Sequence, residues 1–154
     1  MIDKNTEMLL FRFGEFKHYD FIEEHTKIIN EHGYVWVLKS GRKSNPAKIK
    51  EIINQGGWII LKQPKNAGGK YYIGQFVNVQ EEEPTDQCYP NYYEEFFSER
   101  LTNEQWFKIT SIAELNSNDI EKIVLCKNGN RVVDIIGTTM TSVMFVKNCE
   151  VIDN

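Results

Sequence analysis

Trp58-Ile59-Ile60-Leu61, followed by Tyr71-Tyr72-Ile73-Gly74-Gln75-Phe76-Val77-Asn78-Val79, reads as two strands joined through a Pro64 to Lys70 loop that contains Gly68-Gly69. β-Branched and aromatic residues fill both runs and turn-formers separate them, so the pair is a hairpin. Upstream, Asn45 as N-cap and Pro46 at the first helical position open a helix that ends at Gly56-Gly57. A helix followed by a hairpin breaks the strand–helix alternation of a doubly wound fold.

Working outward, Met8 to Phe13 forms a first strand that Gly14 interrupts. Asp20 with Glu23 starts a helix carrying Phe21, Ile22, His25, Ile28, Ile29 and His32 at helical spacing, and Gly33 stops it. Tyr34 to Leu38 is a short strand rich in β-formers, followed by the polar run Lys39-Ser40-Gly41-Arg42-Lys43-Ser44. Periodicity fades from Glu81 to Asn103, where Pro84 and Pro90 interrupt and Tyr92 to Phe97 supports a helical turn or two. Trp106 to Thr110 returns to strand, Ser117 or Asn118 caps a short helix through Ile123, Asn128-Gly129-Asn130 turns, and Val143 to Val146 is the last strand. These add up to an α+β chain with a mixed, strongly twisted sheet or small barrel of about six strands and flanking helices, in a single domain spanning 1–154.

Charge is segregated along the chain. Lys39 to Lys70 holds eight basic residues against Glu51 alone, a local +7, whereas Glu81 to Glu99 holds seven acids and no base. With a net charge of −4, the rest of the chain outside the basic stretch sums to −11. Such a chain can offer a polyanion a basic surface and remain acidic overall. The basic stretch also carries Trp36 just before it and Trp58, Tyr71 and Tyr72 within or beside it. Phosphates need Lys and Arg, and exposed bases need flat rings that contribute about 1–3 kcal/mol each by stacking. The mixture suits single-stranded or flipped-base recognition.

Strand alternation puts Tyr34, Trp36 and Leu38 on one face, so Trp36 either lines a cavity or fills the core. Trp106 and Lys108 point away from the apolar face of Phe107 and Ile109, which makes Trp106 an outward or cavity-facing ring and a candidate site residue. Tyr92 and Tyr93 either close over such a site or form a satellite cluster. The acidic, aromatic stretch 81–99 supports a different reading, a protein-interaction module that docks a basic partner.

Other chemistry finds little support. His18, His25 and His32 return to one helical face, but seven residues rise about 10.5 Å, too far for two imidazoles to share an ion. Cys88, Cys126 and Cys149 are odd in number and widely spaced, as expected of reduced thiols. No phosphate-loop, calcium-loop or nucleophile signature occurs. Expected, then, are a non-enzymatic chain with no cofactor and no metal, no membrane span and a cytoplasmic setting.

The runs Gly33 to Arg42, Tyr71 to Phe76 and Trp106 to Ile112, with the Ser/Thr-rich entry Thr138 to Val146, resemble the PUA-like superfamily, nearest in character to EVE-type and YTH-type domains. The resemblance spans residues 34–147 and implies a twisted, barrel-like mixed sheet. It also implies RNA or DNA binding, with a modified base held among aromatic rings. By position, Trp36, Trp58 and Trp106 would form that pocket, with Tyr92 and Tyr93 closing it. Lys39, Arg42, Lys43, Ser44 and Lys62 would contact phosphates.

Overall fold

The computed structural model describes the chain apart from residues 17, 98–103, 140 and 154, and apart from the side chains of residues 96, 97 and 104. Seven strands form one mixed sheet: β1 (Glu7–Arg12), β2 (Val35–Ser40), β3 (Trp58–Lys62), β4 (Tyr71–Gln80), β5 (Glu104–Glu114), β6 (Ile123–Leu125) and β7 (Val143–Asn148). Their order across the sheet is β2-β5-β4-β3-β1-β7-β6. Only β1 and β3 run parallel; the other neighbours are antiparallel. The α+β class follows, but the sheet stays open, with β2 and β6 at its edges, and does not close into a barrel. The seventh strand, β6, occupies three residues whose first, Ile123, the sequence pattern assigns to the end of a helix.

Five helices accompany the sheet: α1 (Phe21–His32), α2 (Pro46–Asn54), α3 (Tyr93–Phe97), α4 (Ser117–Ile120) and α5 (Val132–Ile135). The Asp20 carboxylate accepts the Glu23 N–H at 3.0 Å to start α1, and Gly33, at φ 86°, ends it by donating to the Ile29 carbonyl at 2.7 Å. Asn45 caps α2 by accepting the Ala47 N–H at 2.9 Å. The cap of α4 is Asn116, one residue before the positions expected.

Side-chain alternation sorts the core into layers. Leu9, Phe11, Val35, Val37, Ile59, Leu61, Phe107 and Ile109 face one way and meet Phe21 of α1 with Ile49 and Ile52 of α2. Met8, Leu10, Ile60 and Val146 face the other way, onto Ile120, Ile123 and Val132. Across β2 and β5, that second face is instead an aromatic cluster built around Trp36 and Trp106.

β4 bends the sheet. Its register with β5 slips on both sides of Phe76, and the Phe76 N–H donates to the Gly57 carbonyl at 2.8 Å. Gly74 permits the close approach: a Cβ there would lie 1.9 Å from the Ser111 carbonyl oxygen. The first half of β4 therefore pairs with β3, while the second half carries β5 and β2 past the end of β3. Phe11 and Phe107 meet inside this bend at 6.3 Å between ring centres.

Candidate functional site

Folding largely dissolves the linear segregation of charge. Lys43 pairs with Glu81 at 3.2 Å, joining the basic stretch directly to the acidic one. Lys48 contacts Glu7 at 2.8 Å and Glu51 at 3.5 Å, and Lys70 contacts Glu114 at 3.0 Å. Lys39 is buried and donates to the Arg42 carbonyl; burial lowers its pKa. Ser44 is buried too, exchanging hydrogen bonds with the Gln105 amide at 3.0 and 3.3 Å. Arg42, Lys50 and Lys65 remain exposed.

Of the five aromatic residues expected to line a pocket, the fold gathers four. Trp36, Tyr92, Tyr93 and Trp106 pack together with Tyr89, whereas Trp58 lies against the separate core beneath the opposite part of the sheet. The cluster is filled by its own rings: Tyr89 and Tyr93 sit 5.4 and 6.0 Å from Trp106, which is 0% exposed. Trp36 is likewise buried, with its indole N–H directed to Asp86 at 3.4 Å. Tyr34 also donates to Asp86, at 2.6 Å, and the bond raises the phenol pKa to about 12. Burial opposes the Asp86 carboxylate, but the donors Tyr34, Cys88 N–H and Trp36 outweigh it and hold its pKa below the ordinary value. Lys108 lies over the Tyr34 ring at 4.3 Å.

A buried relay fixes the segment 86–97 to the body of the protein. His25 on α1, 0% exposed, has Nδ1 against the Phe21 carbonyl at 2.6 Å, so Nδ1 carries the proton. Nε2 then accepts from the Tyr93 hydroxyl, whose oxygen accepts the Leu38 N–H at 3.4 Å. Burial holds the imidazole neutral, with its pKa lowered to about 4.

Beside this cluster lie two cavities with a common wall of Arg12, Phe13, Gly14 and Ser142. The smaller, 280 Å³, is lined by Phe13, Glu15, Phe16, Lys39, Tyr92 and Tyr93 among others. The larger, 740 Å³, is a groove along Arg12, Lys62, Lys65, Gly68, Gly69 and Tyr71. Parallel pairing of β1 and β3 creates the junction, because it makes Arg12 and Lys62 register partners at adjacent strand ends. Arg12 donates to the carbonyls of Thr139 at 2.5 Å and Thr141 at 3.4 Å. Lys62 donates to the carbonyls of Gln63 at 2.7 Å and Gly69 at 3.0 Å and lies 5.0 Å from the Tyr71 ring. Each cation keeps N–H groups beyond those bonds, since guanidinium has five and ammonium three.

Tyr92, Tyr93, Lys39 and Lys62 thus border these cavities, and Arg42 is tied to the rim through Lys39. Trp36, Trp58, Trp106, Lys43 and Ser44 are not among the lining residues. Arg12, Phe13, Glu15 and Phe16 are new to the site. Their signal in the sequence is the run Phe11-Arg12-Phe13-Gly14-Glu15-Phe16, three rings and a cation around a strand-ending glycine.

A third cavity, 540 Å³, lies between α1 and segment 87–95 and carries Glu24, Glu31 and Glu95 with Lys27 and His32. Among the described residues, no three His, Cys, Asp or Glu side chains are grouped to hold a metal, and no helix is long and apolar enough to cross a membrane. Comparison with family models, curated proteins and solved structures gives no match to this chain.

Proposed function

We propose that this chain is a non-enzymatic reader of single-stranded or flipped nucleic acid. One base enters the aromatic cavity between Phe13, Phe16 and Tyr92, and the backbone runs along Arg12, Lys62 and Lys65. The observation that carries this reading is the shared wall: a 280 Å³ cavity lined by rings opens beside a 740 Å³ groove bordered by three cations. The smaller cavity lies near the lower end of the roughly 300–1,000 Å³ typical of ligand sites, which suits one planar ring. Flat rings supply sequence-tolerant stacking and the cations supply backbone attraction. A PUA-like relationship belongs to the same proposal, supported by the mixed sheet and by strand patterns in the sequence that resemble that superfamily.

The test is anisotropy of labelled eight-nucleotide RNA and DNA strands, with and without methylated bases, at low salt. Saturable binding that weakens with added salt is expected. Undetectable binding to every strand refutes the reading.

A second reading rests on the acidic cavity beside α1. There Glu24, Glu31 and Glu95 outnumber Lys27, and Tyr19 and Tyr92 stack at 4.6 Å, a surface that fits a basic protein segment. Capture of a stoichiometric basic partner, abolished by Glu24→Lys with Glu31→Lys, would favour it over the first.

A further inference from the structure

Among the described residues, Glu15 is the only carboxylate in the wall of the 280 Å³ cavity, set among Phe13, Phe16, Tyr92 and Tyr93. An acid is a poor choice for a site that merely attracts a polyanion, so its place there asks for a specific donor. Its Oε2 accepts the Phe21 N–H at 2.9 Å at the start of α1, which fixes the side chain. The Gln63 amide also acts on it as a nearby donor that lowers its pKa. Because Gln63 Oε1 accepts the Lys70 N–H at 3.2 Å, the amide NH2 is the group that faces Glu15. A carboxylate has about four lone-pair sites. The Phe21 N–H takes one, which leaves both oxygens able to accept from a ligand. Burial, with the nearby Asp20 charge, pushes the Glu15 pKa up against the pull of the Phe21 and Gln63 donors, so its charged form is under-solvated.

We propose that Glu15 determines the specificity of this cavity by selecting a base edge with two adjacent N–H donors, the imino and amino groups of guanine, an inference that rests on the nucleic-acid reading above. On that edge adenine sets one donor beside one acceptor, cytosine sets one donor beside two acceptors, and uracil flanks its single donor with two acceptors. Each of them would set an acceptor against a carboxylate oxygen. Arg12 and Lys39 in the same wall offset the repulsion between Glu15 and a phosphate.

The experiment compares an eight-nucleotide uridine strand with strands carrying one central guanine, inosine, adenine or cytosine, as RNA and as DNA. Guanine should bind tightest. Inosine, which keeps the imino proton and lacks the amino group, should bind about tenfold more weakly, as expected for loss of a hydrogen bond to a charged group. Glu15→Gln keeps an oxygen for the Phe21 N–H but presents NH2 in place of the second oxygen. It should lose the preference for the guanine strand over the uridine strand. If the native protein binds no strand, the nucleic-acid reading itself fails. If it binds strands but treats guanine and inosine alike, or if Glu15→Gln keeps the preference, the assignment of Glu15 is overturned while the broader reading stands. The inosine comparison uses the native protein alone, so it decides the matter even if the variant does not fold.

Discussion

His25 shows how one buried side chain couples the site to the solution. Its unfolded pKa is near 6.5 and its folded pKa about 4, so the native state excludes a proton that the unfolded chain takes up. Stability from this group is complete above the unfolded value and is lost as pH falls from about 6.5 toward 4. The full loss is on the order of 3 kcal/mol. Unfolding curves between pH 7 and 4 should show this slope in the native protein and a shallower one in His25→Gln, which has no proton to gain. Protonation of the native imidazole also removes the acceptor that Tyr93 uses, so oligonucleotide affinity should fall only as pH nears about 4. Trp106 teaches a complementary lesson. Its placement on the face opposite Phe107 is correct from alternation, yet that face is covered by Tyr89 and Tyr93. Trp106→Ala should therefore cost about 3–5 kcal/mol in denaturant unfolding, the range for truncating a buried large ring, rather than selectively altering base preference.

At the scale of elements, local rules made α1, α2 and the β3–β4 hairpin readable, because caps, glycines and alternation act within a few residues. Two features escaped for the same physical reason in reverse. β6 has three residues, too short to express a period, and owes its existence to pairing with β7. The cavity wall escaped because its residues come from β1, the loop after it, β2 and the segment 86–97, which are far apart in sequence and meet only in the folded chain. Arg12 joins Lys62 through a parallel pairing that no sequence periodicity specifies. The bend itself is open to test at Gly74. A methyl there would meet the Ser111 carbonyl backbone, which cannot rotate away, so Gly74→Ala should destabilise by about 1–3 kcal/mol. The measurement is chemical denaturation, paired with hydrogen exchange on β4 and β5 amides, where the loss of protection should concentrate.

For the molecule as a whole, the charge pattern of the sequence was informative about composition and misleading about geography. Five of the eight basic residues between Lys39 and Lys70 are held by carboxylates or backbone carbonyls: Lys39, Lys43, Lys48, Lys62 and Lys70. Exposed Arg42 and Lys65 are left as the more adaptable cations near the proposed path. Replacing both with Ala should lower the slope of log affinity against log salt by about 1.4, at about 0.7 per phosphate contact on a single strand, with little change in thermal stability. An unchanged slope would place the backbone elsewhere.

Near the two ends of the chain, Ile2 and Ile152 form a bridge, each N–H donating to the other's carbonyl at 2.8 and 3.1 Å. Spatially, then, the polypeptide is close to a loop, and where it is cut is separable from how it is folded. Linking those positions with a few glycines and reopening at the exposed Asn128-Gly129 turn would give a circular permutant with both cavity walls intact. Reopening within Lys65–Ala67 would instead cut the border of the basic groove, so the pair of permutants would tell the fold's needs from the site's.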